Sequence, residues 1–246
     1  GRFAHNPEPL PEHFTELSSV VVKEGADLGI SVDPDVDRLA LICEDGNPFG
    51  EEYTLVAVAD FILRSRKGAT VSNLSSSRAL RDVTEAAGCE YFASAVGEVN
   101  VVTEMKRVGA VIGGEGNGGV IVPDLHYGRD ALIGTALFLS LLATERCSAS
   151  ELKAKYPPYS ISKNKIELSP SIDVDKILSE VKTRYSHKRV TDIDGVKVDF
   201  DEEKMWVHLR KSNTEPIIRI YAETSTEERA AALANEVINV ITEITG

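Results

Sequence analysis

Cysteine is scarce in this chain. Its 246 residues include three, Cys43, Cys89 and Cys147, far apart and with no CxxC spacing. An odd, scattered set excludes a disulfide framework and a structural zinc site, and predicts a reducing, cytoplasmic setting. Long hydrophobic runs are missing too. The longest, "ALIGTALFLSLLA" at 131–143, is interrupted by Gly, Thr and Ser and falls short of the roughly 20 residues of a membrane span. It predicts a buried helix and no membrane partner. No signal peptide is visible, and the first residue is Gly1 in place of methionine.

Positive charge is in deficit. Lys and Arg number 27 against 39 Asp and Glu, a formal net charge of −12, so the chain repels polyphosphate backbones at long range and no nucleic-acid partner is expected. Low-complexity tracts and solenoid-period repeats are absent, and 42% hydrophobic residues suffice for a core, which excludes disorder. The length predicts more than one compact unit.

What is present is a regular alternation. A helix over "EHFTELSSVVVKE" precedes two strand-like runs, "ADLGISVD" and "RLALIC", and then helices alternate with strands: "EYTLVAVADFILRSRK", "ATVSNL", a helix opening at the serines of "SSSRALRDVTEAAG", "EYFASA", "VNVVTEMKRV" and "AVIGG". This pitch predicts an α/β layer with a mostly parallel sheet, covered by the helix at 130–146. Near "KAKYPPYSISKN" the composition shifts to Pro, Tyr and Lys. Beyond it, strands at "SKNKIEL", "GVKVDF", "KMWVHLR" and "IIRIYAE" with two helices predict a smaller α+β domain, antiparallel and helix-covered on one face.

Three stretches are candidates for chemistry. In "DPDVDR", Asp33, Asp35 and Asp37 recur at every second residue and Arg38 follows. Like charges this close raise one another's pKa unless a cation offsets them, and a hard, oxygen-seeking ion such as Mg²⁺ does so. An EF-hand is excluded, because Arg38 stands where the calcium loop needs Gly and "LALIC" reads as a strand. In "GGEGNGGVIVP", Glu115 and Asn117 lie among glycines at a strand end, where a carboxylate and an amide can hydrogen-bond a polyol. In "RKSNTEPIIRIYAE", a hairpin with Arg210 opposite Ile217 and Arg219 opposite His208 puts both guanidiniums on one face. Ser212, Asn213 and Thr214 add donors, and the set suits a tetrahedral dianion. The plainer alternatives are a solvated acidic turn, a flexible hairpin and a surface turn.

Taken in order, "HNPEP", "DPDVDR", "GGEGNGG" and "RKSNTEPIIRIYAE" resemble the α-D-phosphohexomutase superfamily: phosphoglucomutases, phosphomannomutases and phosphoglucosamine mutases. The resemblance spans nearly the whole chain. It implies a mixed α/β sheet domain followed by a smaller α+β C-terminal domain, with residues 1–43 ending the family's second domain, 44–154 forming the third and 155–246 the fourth. It also implies hexose 1-phosphate and 6-phosphate interconversion through a phosphoserine and a bisphosphorylated sugar. Asp33, Asp35 and Asp37 would bind Mg²⁺, and Arg38 would stabilise the transferring phosphoryl group. Glu115 would hold sugar hydroxyls, with Asn117 beside it, while Arg210, Ser212, Asn213, Thr214 and Arg219 would hold the phosphate that is not reacting. "RFAHNP" fits the family's His-x-Pro-x-Pro segment better than its phosphoserine loop, since Ala4 stands at the serine position. The missing N-terminal domain of the same protein would supply the serine, and the isolated chain would be inactive. Asn117 and Gly119 replace the family's Ser and His, and "SAVGEVNV" lacks a basic residue before Val-Gly. Glucosamine, mannose and glucose phosphates therefore all stay open, glucosamine phosphate being preferred. A non-catalytic phosphosugar-binding module is the alternative. A Mg²⁺-dependent phosphatase fits less well, because it leaves the arginine hairpin unexplained. The sequence fixes no oligomeric state.

Overall fold

The computed structural model describes residues 2–3, 6–10, 13–167, 173–212 and 217–245. The chain divides into two compact units, Gly1–Pro157 and Pro158–Gly246. In chain order the first unit holds α1 (Thr15–Glu24), β1 (Leu28–Val32), β2 (Leu39–Cys43), α2 (Glu51–Ser65), β3 (Thr70–Asn73), α3 (Ala79–Ala86), β4 (Tyr91–Ser94), α4 (Glu98–Val108), β5 (Ile112–Glu115), β6 (Gly119–Ile121), α5 (Ala131–Glu145) and α6 (Ala149–Lys153).

β1 and β2 form an antiparallel hairpin with Val32 opposite Leu39, which places the acidic stretch 33–38 at its tip. β2 is buried at every residue: Ala40 and Ile42 pack with Phe14 and Val21 of the α1 region, and the strand also meets α2 and α5. The main sheet has the order β4-β3-β5-β6, with β3 parallel to β4 and β5, and β6 returning antiparallel to β5. β3 and β5 are buried throughout, as strands enclosed on both faces are.

Two expectations change here. α3 begins at Ala79, not at the serines. Ser77 Oγ accepts the Ala79 N–H (3.1 Å), but Ser76 Oγ bonds Asn73 Oδ1 and the Gly116 N–H, and the Ser77 N–H bonds Glu52 Oε2, so these residues shape a loop before the helix starts. α5 is not buried all round. Ala131, Gly134, Phe138 and Leu141 form its inner face, while Leu132 and Leu139 are 69% and 45% exposed. The helix lies against α2 and β6, and the 3.6-residue period turns its other face outward. Among the described residues, no helix is long and apolar enough to cross a membrane.

The second unit holds β7 (Ser160–Glu167), α7 (Val174–Arg184), β8 (Arg189–Thr191), β9 (Val196–Phe200), β10 (Met205–Lys211), β11 (Ile217–Thr224) and α8 (Glu227–Thr245). Its sheet is antiparallel throughout, in the order β7-β11-β10-β9-β8. Val196, Val198, Val207, Leu209, Ile218, Ile220 and Ala222 alternate along their strands and pack with Ile177 and Val181 of α7 and Leu233, Val237 and Ile241 of α8. The residues between them (Lys197, Trp206, His208, Arg210, Arg219 and Tyr221) therefore share the opposite face. The chain is α/β, with a mixed sheet followed by a smaller α+β unit.

Gly195 opens β9 at φ 74, and a β-carbon there would lie 2.0 Å from the Leu209 carbonyl oxygen. Trp206, the single tryptophan, is fully buried, and its indole N–H donates to Glu223 Oε1 (2.6 Å). Its fluorescence thus reports this unit. Gly195→Ala is expected to lower the unfolding free energy followed by Trp206 emission in a urea titration by about 2–3 kcal/mol, and an unchanged midpoint would contradict the close approach.

Candidate functional site

Asp33 is buried and organises the acidic loop. Its Oδ1 accepts the N–H groups of Asp37 (3.0 Å) and Arg38 (2.9 Å), and its Oδ2 accepts the Arg38 Nε–H (2.8 Å). Val36 takes φ 60, a region that costs a β-branched residue about 1–3 kcal/mol. It is held there at both ends: its N–H bonds the Asp33 carbonyl (3.1 Å), and its own carbonyl accepts the N–H of Ala131 at the start of α5 (3.0 Å). One carboxylate oxygen each from Asp33, Asp35 and Asp37 lies within 4.8 Å of the others. Oxygens around an octahedral Mg²⁺ stand about 3–4 Å apart, so the donor type suits a hard cation while the spacing of up to 4.8 Å is wider than a bound ion would hold. Arg38 is half-buried on Asp33, with Nη1 3.4 Å from Glu8 Oε1 and Nε 3.8 Å from Asp37 Oδ1.

The crowding splits the carboxylates. Burial alone would raise Asp33, but the N–H and guanidinium of Arg38 outweigh it and hold the group at about 2. Burial pushes Asp37 up to about 6, helped by its hydrogen bond with Asp33 and repulsion from Asp33 and Asp35, with the Arg129 charge pulling the other way.

Glu115 ends β5, buried. Its Oε1 accepts from Asn73 Nδ2 (2.8 Å) and the Gly97 N–H (3.1 Å), and its Oε2 accepts from Arg129 Nη1 (3.0 Å). Asn117 serves the turn itself, its Oδ1 accepting the Gly119 N–H (3.1 Å). The hairpin is tied to β2 directly and to the acidic loop through Arg129. The Leu39 N–H bonds the Gly118 carbonyl (3.1 Å), and Arg129 Nη2 bonds Asp37 Oδ2. Arg129 also reaches Glu98 through Nε (3.2 Å) and its backbone N–H (3.2 Å). A β-carbon at Gly119 would lie 2.3 Å from Arg129 Cδ, so the bare backbone there makes room for this side chain. Sequence reasoning passed over Arg129. The available signal was its place just before Asp130, a recognisable N-cap whose Oδ1 accepts from Leu132 and Ile133 N–H.

In the second unit the hairpin register differs from the expected one. Arg210 stands directly opposite Arg219, and Lys211 opposite Ile218. The ladder runs further towards the turn than assumed, closing with the Ser212 N–H on the Ile217 carbonyl (3.0 Å). The shift is an even number of residues, so both arginines still share a face. Arg219 is exposed and Arg210 half-buried, its Nε 3.0 Å from Asp194 Oδ2. Lys165 of β7, exposed and overlooked in the sequence, stands opposite Arg219 and completes a cationic row across three strands. Burial pushes His208 down to about 4; neutral, it donates through Nε2 to the Asp194 carbonyl (2.7 Å). Asn213 and Thr214 lie outside the described residues.

Comparison with known proteins agrees in all parts of the chain. Residues 1–46 match the family model "Phosphoglucomutase/phosphomannomutase, alpha/beta/alpha domain II", residues 50–159 match domain III of the same family, and 170–240 match its C-terminal domain. A probable phosphoglucosamine mutase of Methanopyrus kandleri is 35% identical over 96% of this chain and 52% of its own length. A phosphoglucomutase/phosphomannomutase of Thermococcus kodakarensis is 36% identical over 92% of this chain and 50% of its own. The chain thus spans about half the length of these relatives. A solved phosphoglucomutase/phosphomannomutase family protein of Burkholderia thailandensis shares the fold at TM-score 0.83, with 22% identity, over 97% of this chain and 51% of that one.

The carboxylate pair has a definite pH signature. Asp33, depressed, contributes stability that is present above about pH 4 and lost as the pH falls towards 2. Asp37, raised, acts in the opposite sense, and the fold gains as the pH falls through about 6. Carboxyl-carbon NMR on the metal-free chain is expected to show one aspartate midpoint near 6 that Asp37→Asn removes. All aspartates titrating in the ordinary range would refute the crowding.

Proposed function

Since this chain belongs to the α-D-phosphohexomutase superfamily, we propose that it is the C-terminal portion of an enzyme interconverting hexose 1-phosphate and hexose 6-phosphate. Residues 1–43, 44–154 and 155–246 would be the end of one domain and two further domains. An N-terminal domain would carry the phosphoserine, working in the cytoplasm through a bisphosphorylated sugar. Names of relatives such as the Methanopyrus kandleri protein favour glucosamine phosphate as the substrate over mannose and glucose phosphates.

Phosphoryl transfer depends on positioning and charge neutralisation more than on covalent help from the protein. Asp33, Asp35 and Asp37 would hold Mg²⁺, which when bound neutralises charge on the transferring phosphoryl group. Arg38, fixed by Asp33, would place a further positive charge at the same loop. Glu115 and Asn117 would hold sugar hydroxyls, and the hydrogen bonds from Asn73, Gly97 and Arg129 keep the carboxylate of Glu115 in one orientation. Arg210 and Arg219, with Ser212, Asn213 and Thr214, would grip the phosphate that is not reacting, and Lys165 would join them.

The observation that carries this reading is the row Arg210–Arg219–Lys165. Like charges directly opposite one another destabilise a sheet, and a dianion laid across them reverses the sign of that contribution.

Calorimetric titration of the chain with glucosamine 6-phosphate, mannose 6-phosphate and glucose 6-phosphate tests it. Arg210→Ala and Arg219→Ala are each expected to weaken binding about 10- to 100-fold, and Lys165→Ala less, as befits charge-assisted hydrogen bonds of about 1.5–3 kcal/mol. The wild-type chain is expected to bind without isomerising. Indifference to all three substitutions would remove the phosphate assignment, and turnover by the pure chain would remove the need for an external phosphoserine.

A further inference from the structure

Arg129 stands where the acidic loop and the glycine-rich hairpin meet within the first unit. Its Nη2 bonds Asp37 Oδ2, its Nη1 lies 3.0 Å from Glu115 Oε2, and its Nε lies 3.2 Å from Glu98 Oε2. The side chain is 17% exposed, so water replaces little of what any one carboxylate supplies. A guanidinium presents its donors in a fixed plane and cannot shift towards one partner without slackening on another. Asp37 belongs to the oxygen triad, whereas Glu115 and Glu98 contribute no oxygen to it. We propose that Arg129 is a positioning residue that links cation binding at the acidic loop to the state of Glu115.

This inference rests on the acidic loop being a divalent-cation site. Arg129 already supplies a counter-charge to Asp37, so an arriving cation must displace it and then tolerate its positive charge nearby. Glu115 and Glu98 draw the guanidinium away from Asp37 and so favour the cation. Neutralising either one lets Arg129 settle on Asp37 and opposes the cation. By reciprocity, an occupied acidic loop leaves Arg129 Nη2 facing the hairpin as a donor for whatever Glu115 accepts.

Calorimetric titration with MgCl₂ tests the linkage without any activity measurement. Arg129→Gln is expected to bind Mg²⁺ about fivefold or more tightly than the wild type, within the usual range of such couplings. Tightening is diagnostic, because damage to the fold weakens binding. Glu115→Gln is expected to weaken Mg²⁺ binding in the wild-type background and to have no effect beside Arg129→Gln. Glu98→Gln, at a half-exposed carboxylate, repeats the wild-type arm should Arg129→Gln prove unstable. Unchanged or weaker binding by folded Arg129→Gln, unchanged binding by Glu98→Gln, or a Glu115→Gln effect that persists beside Arg129→Gln would overturn the linkage. If Mg²⁺ binds, is lost in Asp35→Asn and ignores Arg129, the linkage alone falls. If the wild type shows no saturable binding, the cation-site reading falls with it.

Discussion

Asp33, Asp37, Glu98 and Glu115 draw on two guanidiniums, those of Arg38 and Arg129, inside a chain already short of positive charge. A partly buried carboxylate without a counter-charge costs several kcal/mol, so these pairings constrain every element that supplies a member. The β1–β2 hairpin, the first residue of α4, the end of β5 and the turn into α5 must converge, and each of them does. Asp37 stays raised, chiefly through burial and then through its hydrogen bond with Asp33 and repulsion from Asp33 and Asp35, against the pull of Arg129. A divalent cation held by Asp33, Asp35 and Asp37 would add positive charge to this cluster.

The second unit meets the opposite difficulty with the same economy of means. One face of its sheet satisfies the core through strict alternation, and the other is left for charge. Along β10 the shared polar face runs from Trp206, sealed by Glu223 and by Lys197 stacked 4.2 Å over its ring, through neutral His208 to Arg210. The buried end thus anchors the strand, while the open end collects cations that have only Asp194 as a described partner, through Arg210. Rigidity behind a charged edge is what a site for a compact anion requires.

Much of this was legible in the sequence because the signals are local. The alternation of helix and strand, the acidic triad, the glycine-rich turn and the arginine hairpin each lie within one short stretch, and periodicity or spacing exposes them. The rest depends on tertiary placement. Arg129 and Asp37 are 92 positions apart and meet only because α5 begins beside the acidic loop. Lys165 joins Arg219 through a strand pairing that no turn chemistry announces. The register of the hairpin escaped for a related reason: the ladder continues to Lys211 and Ile218 past the point where the loop composition suggests it stops. Val36, a β-branched residue in a left-handed conformation, contradicts its own propensity and is held there by two hydrogen bonds from outside its side chain.

The close approach of Gly119 and Arg129 couples a backbone position to a charge. A β-carbon at 119 would meet Arg129 Cδ at 2.3 Å, so a side chain there requires the arginine to shift from the position in which Asp37, Glu98 and Glu115 share its charge. A substitution at 119 would therefore act on the local electrostatics although it removes no charged group itself.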